Sequence, residues 1–381
     1  MDVYLDNLAT TPLDPRVLAA MLPWLSGRPG NPHARIHAFG RAAGEAVDEA
    51  RDRLAALTGA RAGEIVFAPS ATAANNLAIL GAAEARMRKG DHVLVSAIEH
   101  PSVLGPADVL LRRGFNVEFV PVDNGGVLDL DALRARLKPT TILVSVMCVN
   151  NEVGTVQPLE GVRDIISDRG PLLHVDASQA PGKVALKPVA QLADLLTLSG
   201  HKAYGPKGAA ALVVRTRRQV RLHPLLTGGG QEDGLWPGTV NVPAVVGLAQ
   251  ALDLCENELS DDVERIGSLS AALLDAAVNA FPGATRNGSA DSIVPHCLSV
   301  TFEGVAGETL VAHLAREGIA AALGSACSSE AASPSHVLAA MGLQPARSRR
   351  TLRFGLGRFT TPVEIDFTAA VLQKFAAKLR R

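Results

Sequence analysis

The chain has 381 residues, 47% apolar and 20% charged, which excludes global disorder and is long enough for two domains. Its 37 Lys and Arg against 38 Asp and Glu give a formal charge of -1, so no basic excess marks a nucleic-acid surface. Four widely spaced cysteines argue against a disulfide framework or a four-cysteine zinc site, and fit a reducing, intracellular setting.

In chain order, the N-terminus Met1-Asp2-Val3-Tyr4 has no basic-then-apolar signal segment. No apolar run reaches the roughly 20 residues of a membrane helix. Ala244–Cys255, among the longest candidates, reads as a buried helix, and a cytoplasmic protein without membrane contact is expected. Short β-rich runs then alternate with helical spacing. Strands are predicted at Glu64–Phe67, His92–Ser96, Asn116–Val120, Thr141–Val149, Leu172–Val175, Leu195–Leu198 and Ala210–Val214. Helical patterns start near Thr72 and cover Ser102–Arg113 and Asp129–Leu137. Thr141–Val149 is apolar and β-branched, as a central strand covered on both faces must be. The alternation predicts an α/β fold, with a mostly parallel sheet of those seven strands sandwiched by helices. The pattern changes after about residue 250. A long helix at Leu259–Ala280, a strand at Cys297–Phe302 and helices at Glu308–Glu317 and Pro362–Leu379 form a smaller α/β unit. The expected division is 16–250 for the large domain, with 1–15 and 251–381 in the small one.

Five segments carry candidate chemistry. Ser199-Gly200-His201-Lys202 follows an apolar strand, at the carboxyl end where open α/β sheets place ligands. A partly buried Lys202 attacks carbonyls; an exposed one is only a solvated charge. Asp176 closes the strand before it, so its carboxylate needs a partner. Either a protonated pyridine nitrogen or the backbone N–H groups of the next helix would serve. Ser70-Ala71-Thr72-Ala73-Ala74-Asn75-Asn76 lies between strand and helix, where N–H groups and the helix dipole bind phosphate or a side chain merely caps. Gly228-Gly229-Gly230-Gln231-Glu232, followed by Gly238-Thr239, allows close backbone approach, or is a flexible loop; it is no nucleotide P-loop. Gly324-Ser325-Ala326-Cys327-Ser328-Ser329 places a cysteine among small polar residues, where a reactive thiolate is plausible. Cys148, Cys255 and Cys297 lie in apolar segments and read as core.

Together these segments resemble the pyridoxal-phosphate-dependent cysteine desulfurases of the class V aminotransferase group. The likeness runs from Tyr4-Leu5-Asp6-Asn7-Leu8-Ala9-Thr10-Thr11-Pro12 to Arg353-Phe354-Gly355-Leu356-Gly357-Arg358. Gly30-Asn31-Pro32, Glu99-His100 and Asn150-Asn151-Glu152-Val153-Gly154 stand between them in order. The resemblance implies that Lys202 carries pyridoxal 5'-phosphate as a Schiff base and later moves protons, that Asp176 keeps the ring nitrogen protonated, and that His100 stacks on the ring and assists proton transfer. It implies Ala71, Thr72, Ser199 and His201 for the phosphate, and Asn151 and Gln179 beside the phenolic oxygen and substrate. Arg353 would grip the carboxylate of L-cysteine, and Cys327 would take its sulfur as a persulfide. Thr239 would reach the phosphate of a neighbouring subunit, which implies a homodimer. Sulfur-acceptor proteins follow as partners, in iron–sulfur assembly, tRNA thiolation or DNA phosphorothioation, with no direct nucleic-acid binding.

The chain departs from the family pattern at four places. Ala73 stands where an acidic residue is usual, and Asp233-Gly234-Leu235-Trp236 replaces Arg-Gly-x-Arg. Gly355 replaces serine, and Leu8 a small polar residue. These departures, with a chain that stops soon after its last helix, lean toward the desulfurases of DNA phosphorothioation systems. Selenocysteine lyase, transaminase and a non-catalytic scaffold that binds the cofactor are the competing readings.

Overall fold

The computed structural model describes residues 1–166, 170–215, 220–324 and 334–380. In chain order its principal elements are β1 (Val3–Tyr4), α1 (Pro15–Leu22), α2 (Ala38–Thr58), β2 (Ile65–Ala68), α3 (Ala71–Arg86), β3 (His92–Ser96), α4 (Pro101–Arg112), β4 (Asn116–Val120), α5 (Leu130–Arg136), β5 (Thr141–Met147), α6 (Leu159–Ile166), β6 (Leu172–Asp176), α7 (Leu186–Leu192), β7 (Leu195–Ser199) and β8 (Ala210–Val214). There follow α8 (Val242–Asn257), α9 (Leu259–Ala280), β9 (Thr285–Asn287), β10 (Cys297–Thr301), α10 (Gly307–Arg316), β11 (Ile319–Ala320), β12 (Ala322–Leu323), α11 (His336–Ala340), α12 (Pro345–Ser348), β13 (Thr351–Gly355) and α13 (Pro362–Leu379).

A seven-stranded sheet in the order β2-β8-β7-β6-β5-β3-β4 forms the centre. The expected strands all form, with ends shifted by a residue or two. Every residue of β5 is buried, as its apolar run requires between two parallel neighbours, β3 and β6. β8 departs from the regular series: it pairs antiparallel with both β7 and β2. The reason is the short link Gly200–Ala209, which has no room for the helical crossover a parallel return needs. That link carries Lys202, so the reversal holds the lysine tightly against the sheet end.

Three large apolar clusters pack different regions of the fold. One packs α2, α8 and one face of the sheet, and a related cluster lies under α3 and α4 on the other. A further cluster gathers α9, α10, α13 and the four-stranded antiparallel sheet β12-β13-β10-β9. Val3 and Leu5 belong to this cluster, because β1 pairs with β11. The N-terminal strand therefore crosses from this cluster to the sheet, passing residues 6–10 over the carboxyl ends of β6 and β7. Among the described residues no helix is long and apolar enough to cross a membrane.

Candidate active site

The carboxyl ends of the parallel strands open into a cavity of about 230 Å³. Ala71, Thr72, His100, Asn151, Asp176, Gln179, Ser199, His201, Lys202 and Arg353 all line it. Ten expected site residues, scattered over the chain, thus meet in one space. Thr239 does not line it. That residue is exposed and lines a second cavity of about 160 Å³ with Phe67 and Trp236. Cys327 lies outside the described residues. Their flanks, Gly324 and Ser335, meet at the Glu152 carboxylate: Ser335 Oγ donates to Glu152 Oε2 at 2.5 Å, and a Cβ on Gly324 would lie 3.2 Å from the same oxygen.

The lysine is positioned by the N-terminal segment. Lys202 Nζ donates to the carbonyls of Leu8 (2.6 Å) and Ala9 (2.8 Å). Gln179 Nε2 donates to the same Leu8 carbonyl at 2.9 Å. Leu8 in turn is placed by Gly355, whose own carbonyl accepts from the Asn7 backbone and side chain. A Cβ at position 355 would lie 2.9 Å from the backbone nitrogens of Asn7 and Leu8 and 3.1 Å from Leu8 Cγ. A side chain at 355 is thus excluded first by the backbone of Asn7 and Leu8, whatever stands at position 8, and Leu8 Cγ only tightens the same space.

Asp176, at the end of β6, is 5% exposed. Oδ1 accepts from Ser178 N (2.9 Å) and Ser178 Oγ (2.5 Å) in the turn that follows, so Asp176 does not cap a helix; the next one, α7, begins only at Leu186. Oδ2 accepts from Asn75 Nδ2 at 2.8 Å, and the carboxylate still faces the cavity. Ser70 caps α3 by accepting from Ala73 N at 3.1 Å, so the helix presents its first N–H groups at Ala71 and Thr72. Arg353, 1% exposed, donates to Asn151 O (2.9 Å) and pairs with Asp6 (2.8 Å).

Burial sets the protonation of the walls. The His100 imidazole is held below the ordinary histidine range, mainly by desolvation, with the Lys202 charge acting in the same direction and Asp176 against it. His201 is pushed down to about 4 by burial, helped by Lys202 and Lys207. Glu99, beneath His100, is pushed up to about 8 by burial, although Met147 N donates to it at 2.6 Å. Glu152 rises to about 7 for the same reason, opposed by Ser335 and Arg353. The three described cysteines are buried free thiols, and burial lifts Cys148 and Cys297 to about 12 and Cys255 to about 11, which suits inert core residues.

The donor set fits pyridoxal phosphate. Ser199 Oγ, Gln179 Oε1 and Arg353 Nε are buried without partners, and all three residues line the cavity. Unsatisfied buried polar atoms are costly, so their convergence on one space marks a polar occupant. A carboxylate for a ring nitrogen, a helix N-terminus with a hydroxyl for a phosphate, and a lysine for an aldehyde are all present. Asn75, Ser102 and Ser178 were not singled out by sequence reasoning. Asn75 sits in the expected phosphate segment and Ser102 two residues beyond His100, but nothing in the sequence tells that they touch.

The chain belongs to the class V aminotransferase family, whose profile matches residues 3–367. Members of this family are pyridoxal-phosphate-dependent, as are the cysteine desulfurases within it. The chain is 44% identical to the mitosomal cysteine desulfurase of Trachipleistophora hominis, over 99% of its own length and 87% of that protein. It superposes on a NifS-like protein with a TM-score of 0.92 at 34% identity, covering 99% of this chain and 100% of the other. DndA from Streptomyces lividans is 37% identical with a TM-score of 0.78, covering 91% and 97%.

Proposed function

We propose that this protein is a cysteine desulfurase that converts L-cysteine to L-alanine and holds the sulfur on Cys327 as a persulfide for acceptor proteins. The observation that carries the reading is the meeting of Lys202, Asp176 and Arg353 around one cavity with three orphaned polar atoms. Pyridoxal phosphate, when bound, supplies an electron sink for the substrate α-carbon. Lys202 would hold it and then move protons from Nζ. Asp176 would keep its ring nitrogen protonated, and His100 would stack on the ring. The first N–H groups of α3 at Ala71 and Thr72, with Ser199 Oγ and His201, would hold the phosphate. Asn151 and Gln179 would flank the substrate. Arg353 Nε is a donor left for the substrate carboxylate, beside the two bonds its other nitrogens already make.

Sulfur transfer itself belongs to the chain. The Cys327 thiolate attacks the substrate sulfur; an S–S bond forms while the substrate C–S bond breaks. The electron pair of that C–S bond stays on the substrate carbon, which takes up a proton and leaves as alanine. The small domain, 1–15 with 251–381, would bring Cys327 and Arg353 to a cofactor held by residues 16–250. A homodimer completes the site, with Thr239 serving the partner copy. The exposure of Ile36 (96%) and Phe39 (60%) at the start of α2 supports a covering protein surface. We favour a cytoplasmic enzyme whose acceptors serve DNA phosphorothioation, supported by the likeness to DndA and by Asp233 and Trp236 in place of arginines.

The test adds L-cysteine to purified holoenzyme and measures sulfide and alanine. Equal yields are expected, with at least a hundredfold loss of sulfide for Cys327→Ser and loss of bound cofactor for Lys202→Ala. Unchanged sulfide release by Cys327→Ser would sink the persulfide step. A transaminase would leave Cys327→Ala turnover intact, and L-selenocysteine as the much better substrate would favour a lyase.

A further inference from the structure

The cavity wall holds a hydrogen-bonded line that none of the roles above uses. It runs from Asp176 on β6, through Asn75 on α3 and Ser102 on α4, to His100 at the N-cap of α4. Asn75 Nδ2 donates to Asp176 Oδ2 (2.8 Å) and to Ser102 Oγ (2.9 Å). Ser102 Oγ lies 2.8 Å from His100 Nδ1, and Ser102 N donates to the same Nδ1 at 3.1 Å. Asn75 is fully buried and Ser102 is 7% exposed.

Donor and acceptor counting fixes every proton on this line. An amide has one NH2 group and one carbonyl oxygen. The Asp176 carboxylate accepts only, so the NH2 of Asn75 must face it, and the assigned amide orientation follows from that partner. Both of its hydrogens are then spent, one on Asp176 and one on Ser102. Asn75 Oδ1 is left buried without a partner, a cost the other orientation would not remove. The backbone N–H of Ser102 donates to His100 Nδ1, so that nitrogen offers its lone pair there and carries no proton. The Ser102 hydroxyl, which accepts from Asn75 with one lone pair, then turns its own proton to the same Nδ1. A nitrogen that receives two donors has no space for a proton of its own. His100 is thereby a neutral imidazole protonated on Nε2, the ring nitrogen left for the cavity.

We propose that Ser102 and Asn75 are positioning residues that, anchored on Asp176, hold the His100 ring as the Nε2–H tautomer, so that His100 meets the contents of the cavity as a hydrogen-bond donor. The titratable groups facing the ring are Asp176 from β6, Lys202 from the link after β7, and His336 at the start of α11, whose Nε2 lies 2.9 Å from the Glu99 carbonyl. Asp176 alone would favour an imidazolium. The two donors at Nδ1 favour the neutral ring, in the same direction as burial and Lys202. The consequence for function rests on the reading that this cavity holds cofactor and substrate, but the tautomer does not.

The test is nitrogen NMR of histidine-labelled holoenzyme, with His100 assigned by its loss in His100→Gln. The expected wild-type spectrum shows a protonated Nε2 and a bare Nδ1 from pH 6 to 9. Ser102→Ala removes the hydroxyl donor and keeps the fold contact of the backbone N–H. Its His100 should titrate higher by roughly half to one unit, the size of one neutral hydrogen bond, and show both tautomers. Ser102→Thr should restore the wild-type spectrum, and the acid limb of the kcat/KM profile for sulfide release should move with the titration. Asn75→Ala should shift His100 in the same direction; Ser102→Ala decides the matter by itself should that variant fold poorly. A proton found on Nδ1 in the wild type, or an unchanged His100 titration in Ser102→Ala, overturns the proposal. Failure of sulfide release with the expected spectrum would instead count against the assigned activity.

Discussion

Replacing Asp176 by asparagine keeps the shape of the side chain and removes its charge. Three donors converge on its two oxygens: Asn75 Nδ2, Ser178 N and Ser178 Oγ. A carboxamide offers one oxygen and turns an NH2 toward the rest. At least one buried donor loses its acceptor, at a cost of about 1–3 kcal/mol in stability. The larger effect is on a cation held against this carboxylate. At about 4 Å and an effective dielectric near 20, loss of the negative charge costs about 4 kcal/mol, or about a thousandfold in rate. Hydrogen bonding through the amide oxygen returns part of that, so Asp176→Asn should lose roughly a hundredfold to a thousandfold in kcat/KM for sulfide release. The assay is sulfide formation from L-cysteine on protein checked for cofactor content and melting temperature. Activity within tenfold of wild type, at full cofactor loading, would refute the assignment of the carboxylate as the ring partner.

Arg353→Lys should raise KM for L-cysteine about a hundredfold with a smaller change in kcat, because an ammonium cannot reproduce the planar fork that holds Asn151 O and Asp6; steady-state kinetics separates the two. Glu99 and Glu152 have folded-state pKa values raised to about 8 and about 7, so their protonated forms favour folding. Their contribution is complete below about pH 4.5 and is lost as pH rises through 7 and 8, and Glu99→Gln and Glu152→Gln should flatten that decline in denaturant midpoints. Asp14 has the opposite sign. Hydrogen bonds from Arg16, then Arg358, hold it down to about 2, so its contribution is present above about pH 4 and lost on further acidification; Asp14→Asn should remove that acid limb.

How much of this was legible in the sequence depends on the range of the interaction that decides each feature. The strands β3, β4 and β8 were readable to the residue, because apolar, β-branched runs between turn signals respond to local burial alone. The candidate site residues were legible through the order and spacing of short motifs, from Leu8 near the start to Arg353 near the end. The direction of β8 was not. It depends on whether the Gly200–Ala209 link can hold a crossover, and chain length, not residue type, settles that.

Side-chain partners were least legible. Asn75 and Ser102 lie on different helices, and only the packing of α3 beside α4 brings their side chains to 2.9 Å. Gly355 reads only as a departure until its bridge to Asp6 shows the backbone nitrogens of Asn7 and Leu8 lying 2.9 Å from where a Cβ would stand. The same holds for the segment 6–10: its residues look like a turn, and only the pairing of β1 with β11 carries their carbonyls over Lys202. The sequence by itself determined the elements, the class of cofactor chemistry and which side chains could act, because local burial and motif spacing act along the chain. Only the tertiary structure decided which lone pairs meet which protons, because hydrogen bonds have a reach of about 3 Å and the residues that make them here come from distant parts of the chain.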